Sequence, residues 1–114
     1  MIEALWSVVF NAVGNHGPLN HGAGVVIFET ERIFGGDSRY FYTGNYSISN
    51  GVATAMLTST HYAGLRESII GPDEITTFQL TGRIEQQSIA VSGHVVGKPN
   101  VMVMATLTRR AELP

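Results

Sequence analysis

The sequence predicts an all-β, antiparallel meander of about eight strands, closed as a barrel or stacked as a sandwich. Three observations carry this. Large apolar residues recur at every second position, as side chains on a pleated strand must, and Tyr40, Tyr42 and Tyr46 share one face in this way. Turn formers punctuate the chain at intervals of roughly ten residues, a spacing of short strands and tight connections. Asn50-Gly51 is the pair that a two-residue type I′ hairpin requires, because both central residues need positive φ.

The first strand spans residues 5–13, with Trp6, Val8, Phe10 and Ala12 on one face. Residues 14–22 are so dense in Gly, Asn and Pro that a long loop is expected. A strand over 23–28, a turn at Glu29-Thr30-Glu31 and a strand over 32–35 follow. Gly35-Gly36-Asp37 is a tight turn in which Asp37 is expected to accept backbone N–H bonds. The tyrosine strand covers 39–48, and Asn50-Gly51 joins it to a strand over 52–62. Residues 63–73 are the least strand-like; Leu65, Ile69 and Ile70 support one short helical turn that Gly71-Pro72 ends.

Strands resume over 74–82, 89–96 and 101–108, separated by Glu85-Gln86-Gln87 and Gly97-Lys98-Pro99-Asn100. Inner faces are marked by Phe78 and Leu80, by Ile89, Val91 and Val95, and by Val101, Val103, Ala105 and Leu107. The last strand carries Met102 and Met104 on its other face, so both faces are apolar at its start. Either a partner subunit covers Met102 and Met104, or they are ordinary exposed methionines.

With 114 residues, 44% of them hydrophobic, the chain reads as one domain, residues 1–114, able to bury a core. The net charge is −2 and the arginines are scattered, with no basic stripe, so nucleic acid is not an expected partner. The absence of cysteine excludes disulfides, thiolate metal sites and a Cys nucleophile. The N-terminus has no basic leader region, and no apolar run approaches the ~20 residues of a spanning helix. No membrane association is expected, and the cytoplasm is the default location.

His16 and His21 lie five residues apart in the Gly/Asn-rich segment, too few ligands for a zinc site, and no metal or cofactor is expected. His61 shares a strand face with Leu57 and Ser59, and His94 with Ser92 and Val96. Two readings stand: a proton-transfer pair meeting across a barrel, or two partly buried histidines bonded to hydroxyls or backbone. The carboxylates fall mainly at turns and strand ends, and no nucleophile elbow is present. Tyr40, Tyr42, Tyr46 and Phe78, with His61 and His94, are candidates to line a lumen. Gly44 stands where a fourth large side chain would be; it marks either ligand approach to the backbone or a sharp bend. In a closed meander the first and last strands are neighbours, so Arg109 or Arg110 can lie over the Trp6 indole and plug one end.

Several segments in order resemble one family of small bacterial proteins. They are Leu5-Trp6-Ser7-Val8-Val9-Phe10, Gly22-Ala23-Gly24-Val25-Val26, Ile33-Phe34-Gly35-Gly36-Asp37, Tyr42-Thr43-Gly44, His61-Tyr62 and Ser92-Gly93-His94-Val95-Val96-Gly97. The family includes the GrlR-type negative regulators of type III secretion, and Gly-Gly-Asp followed by Tyr-x-Gly is the most specific element. The resemblance implies a lipocalin-like, eight-stranded closed barrel, a homodimer in the cytoplasm of a Gram-negative bacterium. It implies a non-enzymatic protein that binds a transcriptional activator, with a small apolar effector in the barrel as the alternative. The regulator carries an acidic run at the hairpin tip after its Tyr-x-Gly strand. Here that tip is Ile48-Ser49-Asn50-Gly51, without an acid, so the chain resembles the plainer members more than the regulator proper.

Overall fold

The computed structural model describes residues 2–14, 17–64 and 74–114, with the backbone alone for 12–14 and 17–21. These residues form eight strands: β1 (Ala4–Gly14), β2 (Gly17–Glu29), β3 (Arg32–Gly36), β4 (Tyr40–Ser49), β5 (Val52–His61), β6 (Ile75–Ile84), β7 (Ser88–Val95) and β8 (Lys98–Ala111). Each pairs antiparallel with its neighbour in sequence, and β8 returns to pair with β1. The result is a closed, lipocalin-like meander barrel, an arrangement that leaves no sheet edge unpaired as a whole.

Side-chain parity follows the sequence alternation. Trp6 and Val8 on β1, Tyr40, Tyr42 and Tyr46 on β4, Phe78 on β6, Ile89 and Val95 on β7, and Val103 and Leu107 on β8 are all buried. The Asn50-Gly51 turn has φ of 54° and 78°, as a type I′ hairpin demands. The β2–β3 turn adopts positive φ at Thr30 and Glu31 without any glycine. There the Glu3 carboxylate accepts the Thr30 N–H at 2.8 Å, which helps hold a backbone conformation unfavourable to both residues.

Two sequence expectations are corrected. The segment 14–22 is not a long loop: β1 and β2 keep pairing out to Gly14 and Gly17. Pro18 is tolerated because β3 reaches only Val25, so this part of β2 has a single neighbour and needs no N–H there. The turn expected at 97–100 is shorter, since β8 already pairs at Lys98, with a register shift that absorbs Pro99. The helical turn expected around Leu65, Ile69 and Ile70, and His16, lie outside the described residues.

Gly44 marks a bend. A Cβ there would overlap the Met56 carbonyl oxygen of the neighbouring strand, so glycine lets two backbones approach, not a ligand. Gly93 faces the Gln79 carbonyl in the same way, and Gly35 the Val25 carbonyl. Inward glycines at such points let strands coil tightly enough to close a small barrel.

One end of the barrel is sealed around Trp6, which is fully buried. Its indole N–H donates to the Ile2 carbonyl at 2.9 Å, and Phe28 meets the ring edge-on at 6.2 Å between centroids. Arg109 supplies the expected cation–π contact, 5.5 Å from the ring centroid. Its guanidinium also forms a two-pronged pair with Glu112, whereas Arg110 donates to the Ser7 hydroxyl outside.

Two glycines test the closure argument. Gly93→Ala is expected to cost about 3 kcal/mol or to abolish folding, because the carbonyl opposite is held by its own strand. Gly97→Asn, at a turn with φ of 86° and nothing within 4 Å of a would-be Cβ, is expected to cost under about 1 kcal/mol. Urea denaturation of both variants checks the contrast; similar losses would show that Gly93 is not required by strand approach.

Candidate functional site

The lumen holds a cavity of about 560 Å³, inside the range of roughly 300–1,000 Å³ typical of small-molecule sites. Its origin lies in an imbalance of side-chain size around the barrel. β4 and β2 send Tyr40, Tyr42, Tyr46 and Phe28 inward, but β5 sends Ala53, Ala55, Leu57 and Ser59, and β8 contributes Ala105. Tyr46 therefore pairs across the hairpin with Ala55, and Tyr42 with Ser59. The large rings pack on one another instead of reaching the far wall. Phe28 and Tyr46 meet edge-to-face at 5.2 Å, and Phe10 and Tyr42 at 6.5 Å. Phe78, Val95 and Val103 form a separate core cluster on β6–β8, and the cavity is lined from both sides.

Tyr40, Tyr42, Tyr46 and Phe78 line this cavity, as their alternation suggested. His61 does not. It sits at the end of β5 beside Tyr40, with ring centroids 5.4 Å apart, and its Nε2 lies 2.9 Å from the Gly64 carbonyl. His94 is corrected outright: it points away from the lumen, in register with Gln79 and Met102 on the outer surface. The barrel wall separates the two histidines, so the proton-transfer pair is not formed. Met102 and Met104 are exposed at 46% and 57% on the outer face of β8.

The lumen lining is mostly apolar, with Ser59 and Tyr46 among its hydroxyl-bearing residues, and Asp37 organises the end at the β3–β4 turn. Its Oδ1 accepts the Arg39 and Tyr40 backbone N–H groups, both at 2.8 Å, the Asx-type turn expected from the sequence. Its Oδ2 accepts the hydroxyl of Tyr42, on β4 just past the turn. Its carbonyl accepts the Tyr62 hydroxyl at 2.6 Å, tying β5's exit to the same turn. Gly24 permits this packing, since a Cβ there would stand 2.8 Å from the Gly36 carbonyl and 3.1 Å from the Tyr42 oxygen. Among the described residues no three His, Asp or Glu side chains are placed to share a metal ion.

Sequence reasoning missed the alanine wall and the role of Tyr62. The Ala53, Ala55 and Ser59 alternation was readable as an inward row of small residues; Tyr62's partner, 25 positions away, was not. No protein-family model matches the chain, and no curated protein matches it. No described helix is long and apolar enough to cross a membrane.

The Tyr42 phenol is pushed well above its ordinary 10.0, first by burial, then by its bond to the Asp37 carboxylate and by that charge. The native state thus keeps a proton that the unfolded chain releases above pH 10. Stability is expected to fall as pH rises past 10, by up to about 1.4 kcal/mol per pH unit from this group. Tyr42→Phe should cost about 1 kcal/mol at neutral pH and flatten the alkaline slope. Urea denaturation between pH 8 and 11.5 measures both; an unchanged slope would contradict the assignment.

Proposed function

We propose that this protein is a non-enzymatic binding barrel whose lumen takes a small, mostly apolar ligand, as a carrier or sensor. The cavity is the observation that supports this reading. Interiors normally pack to crystal-like density, and an unfilled apolar void forfeits dispersion contacts on every wall. A chain that seals one end with Trp6 and sets Ala55 and Ser59 opposite Tyr46 and Tyr42 keeps space where larger residues would be more stable. The lining rings offer an amphiphile or flat apolar molecule broad contact at little entropic cost.

Filling the space is the direct test. Ala55→Leu is expected to raise or preserve the melting temperature while weakening binding of Nile red, a neutral apolar dye, by at least about tenfold, or about 1.4 kcal/mol. Fluorescence titration reads this. Undiminished binding by the folded variant would place the dye elsewhere and count against the lumen.

A second reading has its own support: action through protein contact, as a cytoplasmic homodimer that restrains a transcriptional activator of type III secretion genes. It draws on the family resemblance and on the outer surface. The outward positions 5, 7, 9 and 11 on β1 and 23, 25 and 27 on β2 carry no charge. Val9, Val25, Phe34, Met102 and Met104 are each more than 40% exposed around them. Arg110 on Ser7 and Arg32 over Phe34 flank this apolar patch, and an apolar centre with a charged rim is the composition of an interface. Sedimentation velocity is expected to show a dimer that Met104→Lys converts to monomer without loss of thermal stability. A monomeric wild-type chain at micromolar concentration would remove the dimer from this reading.

A further inference from the structure

We infer that the lumen ligand is an amphiphile whose head donates a hydrogen bond to Asp37, with its apolar body running toward Tyr46. This rests on the lumen-binding reading above and names the chemistry of its ligand. The Asp37 side chain lines the cavity at the β3–β4 turn and is only part-buried. A carboxylate oxygen can accept two hydrogen bonds. Oδ1 has both, from the Arg39 and Tyr40 amides, which fixes the plane of the group. Oδ2 takes one, from Tyr42, among the described contacts. Its second acceptor site is held in place at one end of a mostly apolar chamber.

The surroundings favour a donor over an acceptor head. The Tyr42 proton is committed to Asp37, so the phenol oxygen also presents lone pairs, not a proton, to anything nearby. Burial and the neighbouring carboxylate both oppose loss of that proton, so the arrangement persists at physiological pH. A carboxylate head would meet the Asp37 charge. Arg39 lines the same end, but its methylenes pass over Gly64 and it has a partner of its own. The turn is braced by Asp37 N–H donating to the Tyr40 carbonyl at 2.9 Å and by Tyr62 from β5. A ligand therefore meets a preorganised acceptor and pays little to order it. Below this end Leu57, Leu80, Phe78 and Ala105 offer no polar partner, so this stretch matches an apolar body.

The test displaces Nile red from the purified chain with four ligands sharing one tail: decanol, decylamine, decyl methyl ether and decanoate. Decanol and decylamine are expected to displace at concentrations at least about tenfold lower than the ether, which accepts but cannot donate. Their order separates a neutral from a cationic head. Asp37→Asn keeps the turn, because its Oδ1 still accepts the two amides, but turns an NH2 toward the lumen; the preference for donors is expected to disappear. Equal displacement by the ether, tighter binding of decanoate, or an unchanged preference in Asp37→Asn would overturn the Asp37 assignment and leave the lumen reading standing. Failure of the wild-type protein to bind the dye or any of the four would overturn both.

Discussion

The closure of eight short strands into one barrel is the constraint on which the molecule depends. A small barrel has high curvature, and its strands must coil until neighbouring backbones nearly touch at some points. A side chain cannot stand at such a point. Gly44 and Gly93 occupy two of them, each facing a carbonyl oxygen of the adjacent strand. Once the sheet has closed, every alternate residue is committed to the lumen, and the interior is whatever those residues leave.

What they leave is unequal. Trp6 closes one end, packed with Phe28, Ile33, Ile89 and Leu107, which also line the cavity, and Arg109 lies over the indole. Along the barrel the tyrosines of β4 face small residues on β5, and the packing stops short of the axis. Tyr46 faces Ala55 near the Trp6 end, and Tyr42 faces Ser59 near the Asp37 turn. The sealed end supplies stability, so the open volume can be kept without unfolding the barrel. This division of labour resembles other ligand-holding barrels in principle, in which roughly eight strands suffice for one small guest.

The polar end works by the same economy. Burying a carboxylate is costly unless its hydrogen bonds are met. Asp37 meets most of them within its own turn and through Tyr42, while Tyr62 secures the turn from β5. The group that shapes the turn is therefore also the strongest acceptor facing the cavity. On the outside the apolar patch formed by Val9, Val25, Met102 and Met104 is a separate resource, and nothing in the lumen geometry requires it.

Much of this was legible in the residues. Alternation and turn chemistry yielded the strand order, the Asn50-Gly51 hairpin, the Asp37 turn, the inward tyrosines and an arginine over Trp6, because period two and positive φ are local properties. His94, expected in the lumen, lies outside the barrel because Ile89, Val91 and Val95 take the inner face of β7. Local pattern misjudged residues 14–22, where Gly and Pro read as loop; pairing continues there because only one neighbouring strand makes demands on the backbone. Whether Gly44 served a ligand or a bend was undecidable from one strand, since the Met56 carbonyl that excludes a side chain comes from another. The sequence by itself determined which residues face inward. Only the tertiary structure decided that they fail to meet, because a void is a property of opposite walls and no single strand contains it.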